Sequence, residues 1–186
     1  MLSRFGYADV AFTLLTQETY PSWLYPVKMG ATTIWERWDG IKIDSTFQTP
    51  GMNSFNHYAY GAIGDWMYRN ITGLSALAPG YKEIEIKPIP GGRLTQATAE
   101  LVTPYGLAKS SWMIQDGRFR FDVVVPANSS AKVILPKAAT KKITERSIDI
   151  GKVKVIRDIA AVGPDVSVTL GSGSYHFEYP FGPPQP

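Results

Sequence analysis

Ser111-Trp112-Met113-Ile114-Gln115-Asp116-Gly117-Arg118-Phe119-Arg120-Phe121 carries the clearest structural instruction in the chain. Asp-Gly accepts the positive φ angles of a two-residue hairpin turn, and the residues on either side alternate in hydrophobicity. The stretch predicts two antiparallel strands joined at Asp116-Gly117. Downstream, Val123 and Val125 continue the alternation, and residues 131–135, 153–156, 166–170 and 175–179 read as further short strands. Turns are expected at Pro126-Ala127-Asn128, Pro136-Lys137, Gly151, Gly163-Pro164 and Gly171-Ser172-Gly173. Short strands at this spacing suggest an antiparallel β-sandwich. The tail, Phe181-Gly182-Pro183-Pro184-Gln185-Pro186, is expected to fray.

Upstream the period changes. Ile84 and Ile86 still alternate, but before Glu83 the pattern is helical. Phe5, Ala8, Phe12 and Leu15 recur at helical spacing, and Tyr20-Pro21 and Tyr25-Pro26 interrupt. Asn53-Ser54 reads as the N-cap of a second, longer helix with Phe55, Tyr58, Ala59, Ala62, Trp66 and Ile71 on its apolar face, stopped at Gly73. Gly61 and Gly64 inside it suggest close packing against a neighbouring helix. The fold class is therefore α+β in two parts: a helical segment over residues 1–88 and an antiparallel β-sandwich over residues 89–186.

Between the proline breaks and the second helix lies Gly30-Ala31-Thr32-Thr33-Ile34-Trp35-Glu36-Arg37-Trp38-Asp39-Gly40. It sets the Glu36 carboxylate between two indoles. Held against aromatic rings, a carboxylate loses part of its water and becomes a better proton acceptor near neutral pH. Indoles also stack on the apolar faces of sugars. Glu36 is thus a candidate catalytic base, with Trp35 and Trp38 as candidate substrate-binding walls. A structural alternative stands beside this. Thr33-Ile34-Trp35-Glu36 fits a capping box at a helix start, and two tryptophans three apart fit one buried helical stripe. Arg37 and Asp39 either orient Glu36 or form a solvated surface pair. Asp44, Asp65 and His176 read as structural.

Composition narrows the function. The 186 residues are 44% hydrophobic and 12% aromatic, which suits a packed core. A net charge of +3, with no basic run beyond Lys141-Lys142, argues against nucleic acid as a partner. The chain has no cysteine and only His57 and His176, so neither a thiolate nor a multi-histidine metal site is expected, and no cofactor is implied. No apolar run approaches a membrane span and the N-terminus has no export signal, so no membrane partner is expected; a complete chain of this kind would be cytoplasmic. The helical part has too few segments to close a core over its aromatic stripe, which suggests self-association through an exposed helical face.

Three stretches together carry a family resemblance: Gly30 to Gly40 as quoted, then Met52-Asn53-Ser54-Phe55-Asn56-His57-Tyr58-Ala59-Tyr60-Gly61, then Pro88-Ile89-Pro90-Gly91-Gly92 with Ser111-Trp112. In this order they resemble the C-terminal part of bacterial α-L-rhamnosidases, inverting glycoside hydrolases with an (α/α)6 barrel followed by a β-sandwich. The resemblance runs from about Gly6 to about Pro136 and weakens beyond. It implies that residues 1–88 are the last helical segment of an incomplete catalytic barrel. It also implies that Glu36 is the general base, that His57 binds the sugar from the first turn of its helix, and that the partner is a rhamnose-containing glycoside. The family's general acid and most of its sugar-binding residues lie on earlier barrel loops that this sequence does not contain. A reading of another class remains: a stand-alone carbohydrate-binding or assembly module, which a planar aromatic row on a sandwich face would favour.

Overall fold

The structure, a computed structural model, describes residues 1–182. The chain divides into two compact units, one over Met1–Trp66 and the other from Met67 onward. The division falls ahead of residue 88, because two short strands preceding that point already belong to one sheet of the second unit.

The first unit holds little regular helix. A 3-10 turn over Leu2–Phe5 ends at Gly6, whose φ of 85° breaks the run expected from Phe5 through Leu15. Helix α1 spans Ala8–Thr16, α2 Leu24–Lys28 and α3 Ile63–Trp66. Phe12 is the buried residue of α1 and meets the Trp66 ring edge-on at 5.3 Å. The Trp66 indole N–H donates to the Ser3 hydroxyl at 2.9 Å. The long helix expected over residues 53–73 does not form. Residues 53–57 are non-helical, and beyond them come a 3-10 turn at Ala59–Ala62, then α3, then a π-helical turn at Met67–Ile71. Two causes are visible. Ser54 commits both its N–H and its carbonyl to Glu36, so it cannot open a helix. Gly61 and Gly64 weaken helix propensity further, and neither makes the expected close packing: a Cβ at Gly61 would meet Ile34 at an ordinary 3.6 Å, and one at Gly64 would meet nothing within 4 Å.

The second unit is a two-sheet β structure. Its strands are β1 Leu74–Ala76, β2 Glu83–Ile86, β3 Gln96–Thr103, β4 Gly106–Gln115, β5 Arg118–Val125, β6 Ser130–Leu135, β7 Thr144–Glu145, β8 Ile148–Asp149, β9 Ile156–Val162, β10 Asp165–Leu170 and β11 Gly173–Pro180. One sheet has the order β1-β2-β6-β10-β9, the other β3-β4-β5-β11-β7-β8. All pairs are antiparallel except β2 with β6, which run parallel, so the first sheet is mixed rather than purely antiparallel. The β4–β5 hairpin turns at Asp116 and Gly117 with φ of 52° and 68°, the two positive angles of a type I′ turn, and closes with Gln115 opposite Arg118.

Alternation builds the core. Phe119, Phe121, Val123 and Val125 of β5, Tyr175, Phe177 and Tyr179 of β11, and Trp112 of β4 are all buried. Ile84, Ile86, Val133, Leu135, Val168 and Leu170 from the other sheet are buried too. The Tyr179 hydroxyl donates to the Pro136 carbonyl at 3.0 Å, and burial holds its phenol far above the usual tyrosine range. Two strands differ from expectation. Residues 153–156 are not a strand; β9 begins at Ile156 and everything after that residue is exposed, so no burial alternation marks it. β3, polar and at a sheet edge, has no strong alternating signal either. Gly73 sits at φ 76°, and a Cβ there would lie 2.1 Å from the Lys87 carbonyl carbon, so turn and close approach both demand glycine.

Of the tail, residues 183–186 lie outside the described residues. Phe181 does not fray: its N–H donates to the Gly117 carbonyl at 2.7 Å and its ring lies 5.1 Å from Phe119. Among the described residues no helix is long and apolar enough to cross a membrane.

Candidate active site

The two motifs of the first unit lie side by side. The His57 N–H donates to the Ile34 carbonyl at 2.8 Å, and the Glu36 N–H donates to the Ser54 carbonyl at 2.8 Å. The Thr33 hydroxyl donates to the Phe55 carbonyl. Residues 33–36 and 54–57 therefore form a short ladder of two hydrogen-bonded segments, which brings Glu36 and His57 together although they are 21 positions apart. The capping-box reading does not hold, since Thr33 and Glu36 lie in non-helical chain. Instead the Glu36 carboxylate reaches across the ladder: its Oε2 accepts the Ser54 N–H at 2.9 Å. Its other oxygen, Oε1, has no hydrogen-bond partner among the described residues. A half-buried carboxylate with one oxygen anchored and one open can hold a water.

The loop after Glu36 is closed by its own side chains. The Gly40 carbonyl accepts from the Asn53 side-chain amide and from the Gln48 N–H, each at 3.0 Å. Gly40 itself is crowded; a Cβ there would lie 3.1–3.2 Å from Asn53, Phe55 and Trp35. Asp39 accepts from the Gln48 amide at 2.7 Å and, among the described residues, makes no ion pair with Arg37. Asp44 turns back on Thr46, accepting from its N–H and its hydroxyl; these bonds hold the carboxyl below its ordinary range. Tyr20, Tyr25, Asp39, Lys42, Ile43 and Asp44 surround an open cavity of about 440 Å³. Burial, then the Asp39 and Asp44 charges, raise the Tyr25 phenol above its usual range.

The two indoles part company. Trp35 is 5% exposed and packs edge-on against Phe55 at 5.2 Å. Trp38 is half-buried, stacked on Tyr60 at 4.6 Å and edge-on to Trp23 at 5.6 Å. The Trp38 indole N–H is buried without a partner among the described residues, a donor with unspent capacity. His57 precedes the 3-10 turn at Ala59–Ala62 rather than lying in a helix; its ring stacks parallel to Tyr58 at 5.8 Å, and its Nδ1 accepts the Ala59 N–H at 3.4 Å. That contact occupies Nδ1, while Nε2 has no hydrogen-bond partner among the described residues.

Sequence reasoning missed Ser54, Tyr60 and Trp23. Ser54 was legible only as a helix cap; the Trp23 N–H binds the Tyr60 carbonyl at 3.0 Å, a contact over 37 positions that no local pattern announces. In the second unit the His176 ring pairs with Asp122 at 2.6 Å, a contact between neighbouring strands. Trp112, Phe119, Phe121, Phe177 and Tyr179 are interior, so these aromatics do not form the planar exterior row that a carbohydrate-binding module would present.

Comparison with known proteins identifies the relatives of the chain. Residues 1–71 match the bacterial alpha-L-rhamnosidase 6 hairpin glycosidase domain, and residues 73–148 match the bacterial alpha-L-rhamnosidase C-terminal domain. An alpha-L-rhamnosidase of Streptomyces avermitilis is 48% identical over 136 residues, covering 73% of this chain and 13% of that protein. One from Formosa agariphila is 42% identical over 178 residues, covering 96% of this chain and 19% of that protein. The crystal structure of a Streptomyces avermitilis alpha-L-rhamnosidase complexed with L-rhamnose superposes with a TM-score of 0.85 at 40% identity, over 95% of this chain and 16% of that one. The chain thus spans under a fifth of the length of these relatives. With both domains matched in order, the chain belongs to the bacterial α-L-rhamnosidase family.

Proposed function

We propose that this chain supplies the general-base side of a glycoside hydrolase that cleaves terminal α-L-rhamnosyl bonds with inversion. Inversion requires a second carboxylic acid roughly 6.5–9.5 Å from the base, protonating the leaving oxygen while the base activates water on the opposite sugar face. Glu36 is the base, and the acid comes from residues beyond these 186. The observation that carries the reading is the anchored carboxylate: Ser54 N–H fixes Oε2, and Oε1 stays open for the attacking water. His57, on the segment hydrogen-bonded to residues 34–36, donates from Nε2 to a sugar hydroxyl. Trp38, half-buried and stacked on Tyr60, lines the sugar with the open part of its ring, whereas buried Trp35 packs against Phe55 and sets the loop. The 186-residue chain alone should hydrolyse aryl α-L-rhamnosides no faster than buffer. Transplanted in place of the matching segment of the Streptomyces avermitilis relative, it should restore turnover to within about tenfold of the parent enzyme. A folded chimera without activity would refute the reading.

We also infer that the first unit self-associates through its apolar surface. Phe5, Tyr7, Val27, Ile43, Phe47 and Tyr58 are all more than half exposed, and apolar surface left open in this way favours contact where it is contiguous. Light scattering across a concentration series should show mass rising with concentration, and a constant monomer mass would count against it.

A further inference from the structure

A second cavity, of about 470 Å³, lies in the second unit between the start of β9 and the turn joining β10 to β11. Val155, Arg157, the turn over residues 171–174 and Tyr175 line it. It falls outside the segment matched by the C-terminal-domain model, which ends at residue 148.

Its chemistry is that of an anion site. Arg157 is exposed and, among the described residues, pairs with no carboxylate. Arg146, beside the turn, is already committed: it pairs with Glu145 at 3.2 Å and donates to the Ser174 carbonyl at 3.0 Å, bracing the turn. A β-bulge directly follows Arg157. Thr169 lies opposite Arg157 and Ser167 opposite Ala160, so Asp158 and Ile159 together face Val168, and Asp158 takes a φ of 51°. Bulges with left-handed residues cost conformational energy and often re-aim a side chain beside a binding site. The turn is built of small residues, Gly171-Ser172-Gly173-Ser174, which lets main chain approach a ligand closely. The Ser172 hydroxyl leans on the Ser129 carbonyl at 3.4 Å, and the Ser129 hydroxyl is itself buried without a partner among the described residues. Tyr175 donates its hydroxyl to the Gly171 carbonyl at 3.0 Å, holding the turn against its ring. Burial and then Glu145 raise its phenol while Arg157 opposes them, so the Arg157 field reaches the cavity wall.

We propose that this cavity binds an oxyanion carried on a sugar ring, either the carboxylate of a uronic acid or a sulfate ester, with Arg157 gripping the anion. The cavity is too large for a bare ion, and exposed Val155, with the edge of the buried Tyr175 behind it, gives it an apolar side for a sugar ring. The site is independent of Glu36, and its failure would leave the rhamnosidase reading untouched.

The test is calorimetry on the 186-residue chain with D-glucuronate, glucose 6-sulfate, glucose and sodium sulfate. One of the two acidic sugars should bind at least about tenfold tighter than glucose and than sulfate ion, since a charge-assisted bidentate contact is about twice as strong as a neutral one. Tighter glucuronate assigns the site to uronic acids; tighter glucose 6-sulfate assigns it to sulfate esters. Arg157→Gln should weaken that sugar by about tenfold, and Val155→Glu, which sets a like charge in the cavity, should do the same. Both positions are exposed, and unchanged thermal melts would show that the fold is intact; Val155→Glu serves if Arg157→Gln melts early. Glucose binding as tightly as the acids, sulfate ion binding as tightly as its sugar ester (an adventitious ion only), or acidic-sugar binding unchanged in folded variants would overturn the proposal.

Discussion

Glu36→Gln, in the chimera that carries this chain on the barrel of its Streptomyces avermitilis relative, should lower turnover by at least roughly 10²-fold, the usual contribution of a general base. Glutamine keeps an acceptor oxygen for the Ser54 N–H, so the ladder between residues 33–36 and 54–57 should survive the change. What it cannot do is take a proton from water. The loss should therefore fall on kcat, with rhamnose affinity nearly unchanged, because a base acts in the transition state more than in ground-state binding. His57→Ala should behave differently. It removes a polar contact worth about 0.5–1.5 kcal/mol in ground-state binding, so affinity and rate should weaken together. Steady-state kinetics with an aryl α-L-rhamnoside and calorimetry with L-rhamnose separate the two patterns. Near-normal turnover of Glu36→Gln would end the catalytic assignment and leave Glu36 as a fastener of the ladder.

Trp112→Ala should cost about 3–5 kcal/mol of stability in the second unit, the range for removing a buried aromatic side chain. Trp112 is 1% exposed and stacks on Phe119 at 5.9 Å. Its indole N–H donates to the Ile71 carbonyl at 2.8 Å, and two strand positions earlier the buried Ser110 hydroxyl donates to the Thr72 carbonyl at 2.5 Å. Together these bonds tie the chain entering β1 onto β4. Alanine would empty the ring's place and strand a buried carbonyl. Against a total stability of about 5–15 kcal/mol for a domain, that is enough to shift much of the population toward unfolding. Trp112→Phe, which keeps an aromatic ring but not the donor, should cost less, about 1–3 kcal/mol for the unsatisfied carbonyl. Urea unfolding followed by circular dichroism orders the three proteins, and an alanine variant as stable as the parent would show that the ring is not a core element.

The legibility of the chain divides along the reach of its interactions. The β4–β5 hairpin could be read because Asp116-Gly117 needs only itself to adopt two positive φ angles, and alternation names the buried face one residue at a time. Gly73 could be read as a stop because its backbone demand is local, although its 2.1 Å conflict with Lys87 for any Cβ is not. Phe181 was not readable: its neighbours Gly182 and Pro183 look like tail, and only the Gly117 carbonyl and the Phe119 ring make it core. β9 failed for the opposite reason, since a strand exposed at a sheet edge has no face to declare.

The site shows the same division more sharply. The residue types at Glu36 and His57, and the order of their motifs, are properties of sequence, and they carry the family resemblance. Their arrangement is not. Ser54 could satisfy its N–H and carbonyl in a helix of its own or across the gap to Glu36, and local pattern favours the helix. The structure takes the second course, 18 positions away, because every main-chain polar group removed from water must find a partner and the ladder supplies several at once. Sequence by itself determined the hairpin and the alternating core. Tertiary structure alone decided which partner Ser54 took, and with it the anchoring of Oε2, the opening of Oε1 and the burial of Trp35 in place of exposure to a ligand.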